Sequence, residues 1–199
     1  MIRFIFIFVI SISSCASIDY SYFGSLASLI PQKYEVTKTD FNNIEYSFIH
    51  IRSKNNNAIY VLSEITNNNE FIWIGPEYEK IKTIDGLITY FETDDYKYEL
   101  LSSNTINPNY DSKWVTNFYS PDALFLPTTL FFYKDTESTF IQLGNHYETT
   151  KREFRKTIPA IKFVTTDYVE FNDKGLAIYT EQRLSPLRRP LFIEFYYKY

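Results

Sequence analysis

From Ile44 to the C-terminus, apolar and polar positions alternate with a period of two, broken at short intervals by turn residues. In Ile44–Ser53, Tyr46, Phe48 and His50 fall on one face and Ser47, Ile49 and Ile51 on the other. Such alternation places successive side chains on opposite sides of a strand. Lys54-Asn55-Asn56-Asn57 then predicts a turn into a strand over Ala58–Thr66, and Asn67-Asn68-Asn69 a second turn into Glu70–Gly75. Glu77–Ile84 and Leu87–Glu92 flank Asp85-Gly86, the clearest two-residue hairpin signal in the chain.

Further along, Thr93–Pro108 is polar and reads as a loop or an edge. Trp114–Tyr119, Leu130–Lys134, Thr139–Gly144 and Tyr147–Lys156 read as strands, the last two joined by a turn at Asn145-His146. Ala160–Phe171 and Leu176–Arg183 flank the turn Asn172–Gly175, and Leu191–Tyr199 alternates to the end. About eleven short strands at near-regular spacing predict an all-β fold: a mostly antiparallel, curved or barrel-like sheet in a single domain over 42–199. One short N-terminal helix is expected over Ser17–Ile30, with Asp19 in its first turn and Pro31 stopping it.

The first residues follow another pattern. Met1-Ile2-Arg3 carries one positive charge, Phe4–Ile10 is unbroken apolar, and Ser11–Ser14 turns small, the three regions of a secretory signal. The apolar run is far short of the roughly 20 residues that span a bilayer. Ile12-Ser13-Ser14-Cys15 resembles the bacterial lipobox, in which the cysteine sulfur receives diacylglycerol and the chain is cut before it. Cut there, the chain divides into a signal peptide (1–14), a lipid-anchored arm with the helix (15–41) and the β-rich domain. Ser14-Cys15-Ala16 also satisfies the small-x-small rule of an ordinary signal peptidase, so a cut after Ala16 is the alternative. Ala16 rather than Asp after the cysteine points to the outer membrane, where acyl chains would hold the protein by about 0.8 kcal/mol per buried methylene. An outer-membrane barrel is the competing picture, but charges interrupt too many candidate lipid faces.

Composition narrows the chemistry. A net charge of −4 without a basic patch argues against nucleic acid as a partner. One cysteine excludes an internal disulfide, two histidines leave little for a metal cluster, and no cofactor fingerprint occurs. No catalytic residues are assigned: His50 reads as a packed or surface histidine on a strand, and His146 as a solvated turn residue. Asp94-Asp95 could serve glycoside hydrolysis only with a distant partner carboxylate, and read as a solvated pair. Glu64 and Glu70, astride the Asn-rich turn, are expected to face water. Trp73 and Trp114 are the candidate ligand-binding residues, because sugar rings stack on aromatic faces, although most of the chain's 38 aromatics (18 Tyr, 18 Phe, 2 Trp) must be core.

The stretch Tyr46–Thr89 resembles the YjbF/GfcB family of bacterial lipoproteins. The resemblance rests on Ile59–Glu64, the strand Phe71-Ile72-Trp73-Ile74 and the hairpin Thr83-Ile84-Asp85-Gly86-Leu87-Ile88. Asn107-Pro108 followed by Trp114, and the closing stretch from Glu170, continue it through most of the chain after Cys15. The chain departs from the family pattern at Tyr90-Phe91-Glu92, where a glycine-leucine step is usual. The resemblance implies a periplasm-facing outer-membrane lipoprotein of exopolysaccharide or group 4 capsule assembly, with polysaccharide or export-machinery proteins as partners. A glycan-modifying enzyme and a structural or lipid-carrying lipoprotein are the alternatives.

Overall fold

The computed structural model describes residues 35–53, 57–102, 112–119 and 123–198. The compact unit that contains them runs from Tyr34. The helix expected over Ser17–Ile30 lies outside the described residues.

Twelve antiparallel strands close into a barrel in which each pairs with its sequence neighbours and the last returns to the first. They are β1 (Phe48–Arg52), β2 (Asn57–Ile65), β3 (Glu70–Ile74), β4 (Lys80–Ile84), β5 (Leu87–Thr93) and β6 (Tyr96–Ser102), followed by β7 (Ser112–Tyr119), β8 (Ala123–Gln142), β9 (Asn145–Ile158), β10 (Phe163–Phe171), β11 (Ala177–Gln182) and β12 (Leu191–Tyr196). Closure comes from β1 against β12, with Ile49 opposite Phe195 and Ile51 opposite Ile193. The expected all-β, barrel-like domain is therefore present, and closure leaves the sheet no free edge.

The turn expected at Asn145-His146 falls at Leu143-Gly144, and two strands differ from expectation. Tyr96–Ser102, placed in a polar loop or edge, is a full strand whose Tyr96, Tyr98 and Leu100 are buried. The pieces at Leu130–Lys134 and Thr139–Gly144 belong to one strand, β8, which with β9 extends a ribbon past the end of the β10 pairing at Phe171–Thr150. Pro127 lies in β8 where only β7 is a neighbour, opposite Val115, because β9 joins at Thr129.

The interior is apolar and filled: Trp73, Ile81, Tyr98, Phe154, Ile158, Val169, Ile193 and Phe195 are among its buried residues. Outward positions on β4–β6 carry charge instead, with Lys80 opposite Glu92, and Glu92 opposite Lys97. That is the reverse of a lipid-facing band, where a charge near the midplane costs about 2–4 kcal/mol. No helix among the described residues is long and apolar enough to cross a membrane.

Barrels of many strands leave a lumen unless opposite walls approach each other. Here the β4–β5 turn crosses the interior. Asp85 and Gly86 both have positive φ (47° and 75°), as a type I′ turn requires, and a Cβ on Gly86 would stand 2.5 Å from Val169 Cγ1 and 2.7 Å from Ala177 Cβ. Gln182 of β11 fastens the contact. Its Nε2 donates to Gly86 O at 2.8 Å, and its Oε1 accepts Ile88 N–H at 3.0 Å.

A short helix, α1 (Lys38–Asn43), packs on the outer wall. Thr37 caps it: Asp40 N–H donates to Thr37 Oγ1, and Thr37 N–H donates to Asp40 Oδ2, a reciprocal capping box. Phe41 lies 6.3 Å from the Phe48 ring and 6.2 Å from that of Tyr196. The β8–β9 ribbon covers the neighbouring wall, with Phe140 stacked on Tyr179 at 5.3 Å and Gln142 Nε2 donating to Phe195 O at 3.0 Å.

Candidate functional site

A cleft of about 560 Å³ opens at the end of the barrel where β1 ends and where β3 passes into β4, β5 into β6 and β11 into β12. Its size falls within the range of small-ligand sites. Three connections, distant in sequence, build it with the end of β1.

The floor is aromatic and aliphatic. Tyr60, Phe91, Tyr96 and Leu184 line the cleft and are all buried. Gly75, at the end of β3, lets Tyr60 lie there, since a Cβ would come within 2.7 Å of its ring and 2.4 Å of Glu79 Oε2. Burial pushes the Tyr60 hydroxyl well above the ordinary tyrosine range, with Glu79 and Glu77 adding to the effect.

One lip is acidic. Glu77 and Glu79 come from the β3–β4 turn, where Glu79 Oε2 accepts Glu77 N–H at 3.0 Å, and Asp94 and Asp95 form the β5–β6 turn. The other lip is basic, because the β11–β12 connection brings Arg188 and Arg189 beside the exposed Leu187.

That basic lip is held from beneath. Arg183 donates through Nη2 to Pro186 O at 2.8 Å and through Nε to Arg188 O at 3.1 Å. Its backbone N–H donates to Asp167 Oδ1 at 2.9 Å, while Asp167 Oδ2 takes the Lys156 ammonium at 2.8 Å inside the barrel. The Arg188 guanidinium lies 4.1 Å from the centre of the Tyr96 ring, a cation–π distance.

Tyr96 is 7% exposed, and its hydroxyl has no hydrogen-bond partner among the described residues. Ser185 lies beside it without reaching hydrogen-bond geometry. Burial, with Tyr98 close by, pushes that hydroxyl up to about 12. Among the described residues no ion pair links the two lips of the cleft.

Of the residues singled out in the sequence, only Asp94 and Asp95 lie here. Trp73 is wholly buried and donates its Nε1–H to Thr83 Oγ1 at 3.0 Å; Trp114 is 4% exposed. Neither ring offers a solvent face to a sugar, so the stacking platform expected of them is not formed: both are barrel core. His50 sits on the outer wall, one residue from the cleft-lining Ile51 but on the opposite face of β1, bonded to Asn57 and 1% exposed. Burial lowers its pKa, so the neutral ring is favoured. His146 is exposed near the tip of the β8–β9 ribbon. Glu70, expected in water, is half-buried, paired with Lys82 at 3.2 Å and accepting from the Thr89 hydroxyl. Cys15 lies outside the described residues.

Sequence reasoning missed Tyr96, Glu77, Glu79, Arg188 and Arg189. The usable signal was Ser185-Pro186-Leu187-Arg188-Arg189-Pro190, a proline-bracketed twin arginine between two strands.

No protein-family model matches the chain, and no curated protein matches it. Among solved structures, the hypothetical lipoprotein YmcC of Escherichia coli (K12) is similar, with a TM-score of 0.67 over 90% of this chain and 95% of that one. At 13% sequence identity the likeness is one of fold: this chain folds as that lipoprotein does.

Proposed function

We propose that the chain is a lipid-anchored lipoprotein, facing the periplasm from the outer membrane, that acts as a non-enzymatic binding or accessory factor in the assembly or secretion of exopolysaccharide or capsule. Support comes from three directions: Ile12-Ser13-Ser14-Cys15 at the N-terminus, the resemblance to the YjbF/GfcB lipoproteins, and a fold similar to that of a hypothetical lipoprotein. The observation that carries the reading is the cleft. It joins an aromatic floor to polar lips on fixed walls, while both histidines lie elsewhere. A lipid carrier needs an empty apolar interior, and this barrel's interior is packed with side chains. Deleting the gene tests the proposal: surface polysaccharide should fall while its cytoplasmic precursors persist.

Four carboxylates at one lip, Glu77, Glu79, Asp94 and Asp95, support a second reading as a glycan hydrolase. Release of reducing ends from the host's own polysaccharide by the full chain, lost in Asp94→Asn, would select it.

A further inference from the structure

The cleft has an unusual balance of groups for a surface hollow. Arg188 and Arg189 line it together with four carboxylates, and no ion pair joins them among the described residues. Beneath them, a buried tyrosine hydroxyl has no hydrogen-bond partner among the described residues.

Each class of ligand uses these groups differently. A polyanion such as nucleic acid or polyphosphate would engage the two arginines but meet the four carboxylates that line the same cleft. A basic peptide would engage the carboxylates and be repelled by the arginines. A neutral sugar chain would satisfy the carboxylates, which accept its hydroxyl hydrogens, but would leave the guanidiniums unused. A sugar chain bearing an isolated carboxylate uses everything: the acid group takes the arginine fork, and the neutral neighbouring residues lie toward Asp94, Asp95 and Glu77.

The geometry points to the barrel-end cleft as a binding site for an acidic oligosaccharide, one in which a uronic-acid-type residue is flanked by neutral sugars, with Arg188 and Arg189 reading the carboxylate. The inference rests on the polysaccharide reading above and narrows it to a ligand class and an orientation. The basic lip is prepared for the task. Arg183 holds the backbone carbonyls of Pro186 and Arg188, and Asp167 holds Arg183, so little ordering remains when ligand arrives.

The test is calorimetric titration of the full-length chain in detergent micelles with three probes: a short oligosaccharide containing one glucuronate, a neutral glucan of equal length, and inorganic phosphate. The acidic sugar should bind about tenfold more tightly than the neutral one, the worth of one charge-assisted contact. That advantage should shrink with added salt and vanish in R188A/R189A. D94N/D95N should weaken both sugars. Circular dichroism melting confirms that these variants, changed at exposed positions, remain folded. Equal affinity for the two sugars, phosphate binding as tightly as the acidic sugar, or an acidic-sugar preference that survives R188A/R189A would each overturn the inference. The accessory reading fails separately: it falls if deletion leaves surface polysaccharide intact, whatever the cleft binds, and stands if deletion removes polysaccharide while the cleft binds neither sugar.

Discussion

Lys156 of β9 and Asp167 of β10, diagonal neighbours on the inner face, pair at 2.8 Å, each side chain only 2% exposed, in the apolar interior of the barrel. Two desolvated charges gain little net stability as a pair, but either alone is costly. Asp167 also accepts the backbone N–H of Arg183, so the same carboxylate that neutralises the core lysine anchors the loop bearing Arg188.

Removing that carboxylate should therefore do two things. Asp167→Asn leaves an uncompensated ammonium in the core and should cost about 3–5 kcal/mol in denaturant unfolding. Lys156→Met combined with Asp167→Leu should be far less destabilising, near neutral, while still freeing the loop. A double variant as unstable as Asp167→Asn would show that the pair contributes stability of its own.

Gly86 and Gly144 share a φ near +75° but not an environment. Gly86 backs onto Val169 and Ala177, whereas a Cβ on Gly144 meets nothing within 4 Å. Gly144→Ala should cost about 1 kcal/mol from backbone strain alone, and Gly86→Ala about 3 kcal/mol because overlap adds to strain. Equal costs measured by urea unfolding would mean that the β4–β5 turn does not press on the opposite wall.

Alkaline pH should unfold the barrel through its tyrosines. Tyr96 and Tyr179 are pushed up to about 12, chiefly by burial, and Tyr60, Tyr98 and Tyr196 are raised as well. A raised folded pKa means that the unfolded chain loses its proton first. The stabilisation is thus complete below the model-compound value of about 10 and lost as pH climbs through about 12. Ultraviolet titration should show a late fraction of phenolate appearing together with loss of the β spectrum. Complete ionisation near pH 10 with the fold intact would contradict this.

Much of the barrel could be read from alternation, because one face of each strand is buried and period two is what burial imposes. The Asp85-Gly86 hairpin was legible for the same kind of reason: a type I′ turn needs positive φ at both positions. β6 alternates just as cleanly, with Tyr96, Tyr98 and Leu100 inward and Lys97 and Glu99 outward, but Asp94-Asp95 before it and Ser102-Ser103-Asn104 after it masked the pattern. The ribbon end of β8 could not be read that way. From Phe132 to Glu137 every side chain is exposed, so that stretch has no buried face to record in sequence. The cleft was hidden for another reason. It exists only because β12 closes on β1 and gathers Tyr60, Asp94 and Arg188 at one end, and no local pattern encodes that closure. Trp73 and Trp114 misled because a large aromatic ring serves a packed barrel interior as readily as a sugar platform.

Acylation at Cys15 is checked directly. Cells grown with labelled palmitate should label the wild-type chain and not Cys15→Ser. Equal labelling would move the cut to after Ala16 and remove the anchor.

The central claim is that a tethered barrel serves polysaccharide at the membrane, where attachment can raise its effective concentration to the millimolar range. The most direct test is surface polysaccharide in a deletion strain complemented with either the wild-type chain or Cys15→Ser, with cytoplasmic precursors measured in the same cells. Wild type should restore the surface polymer, Cys15→Ser should leave it at the deletion level, and precursors should be unchanged throughout. Full surface polysaccharide in the uncomplemented deletion strain would contradict the account.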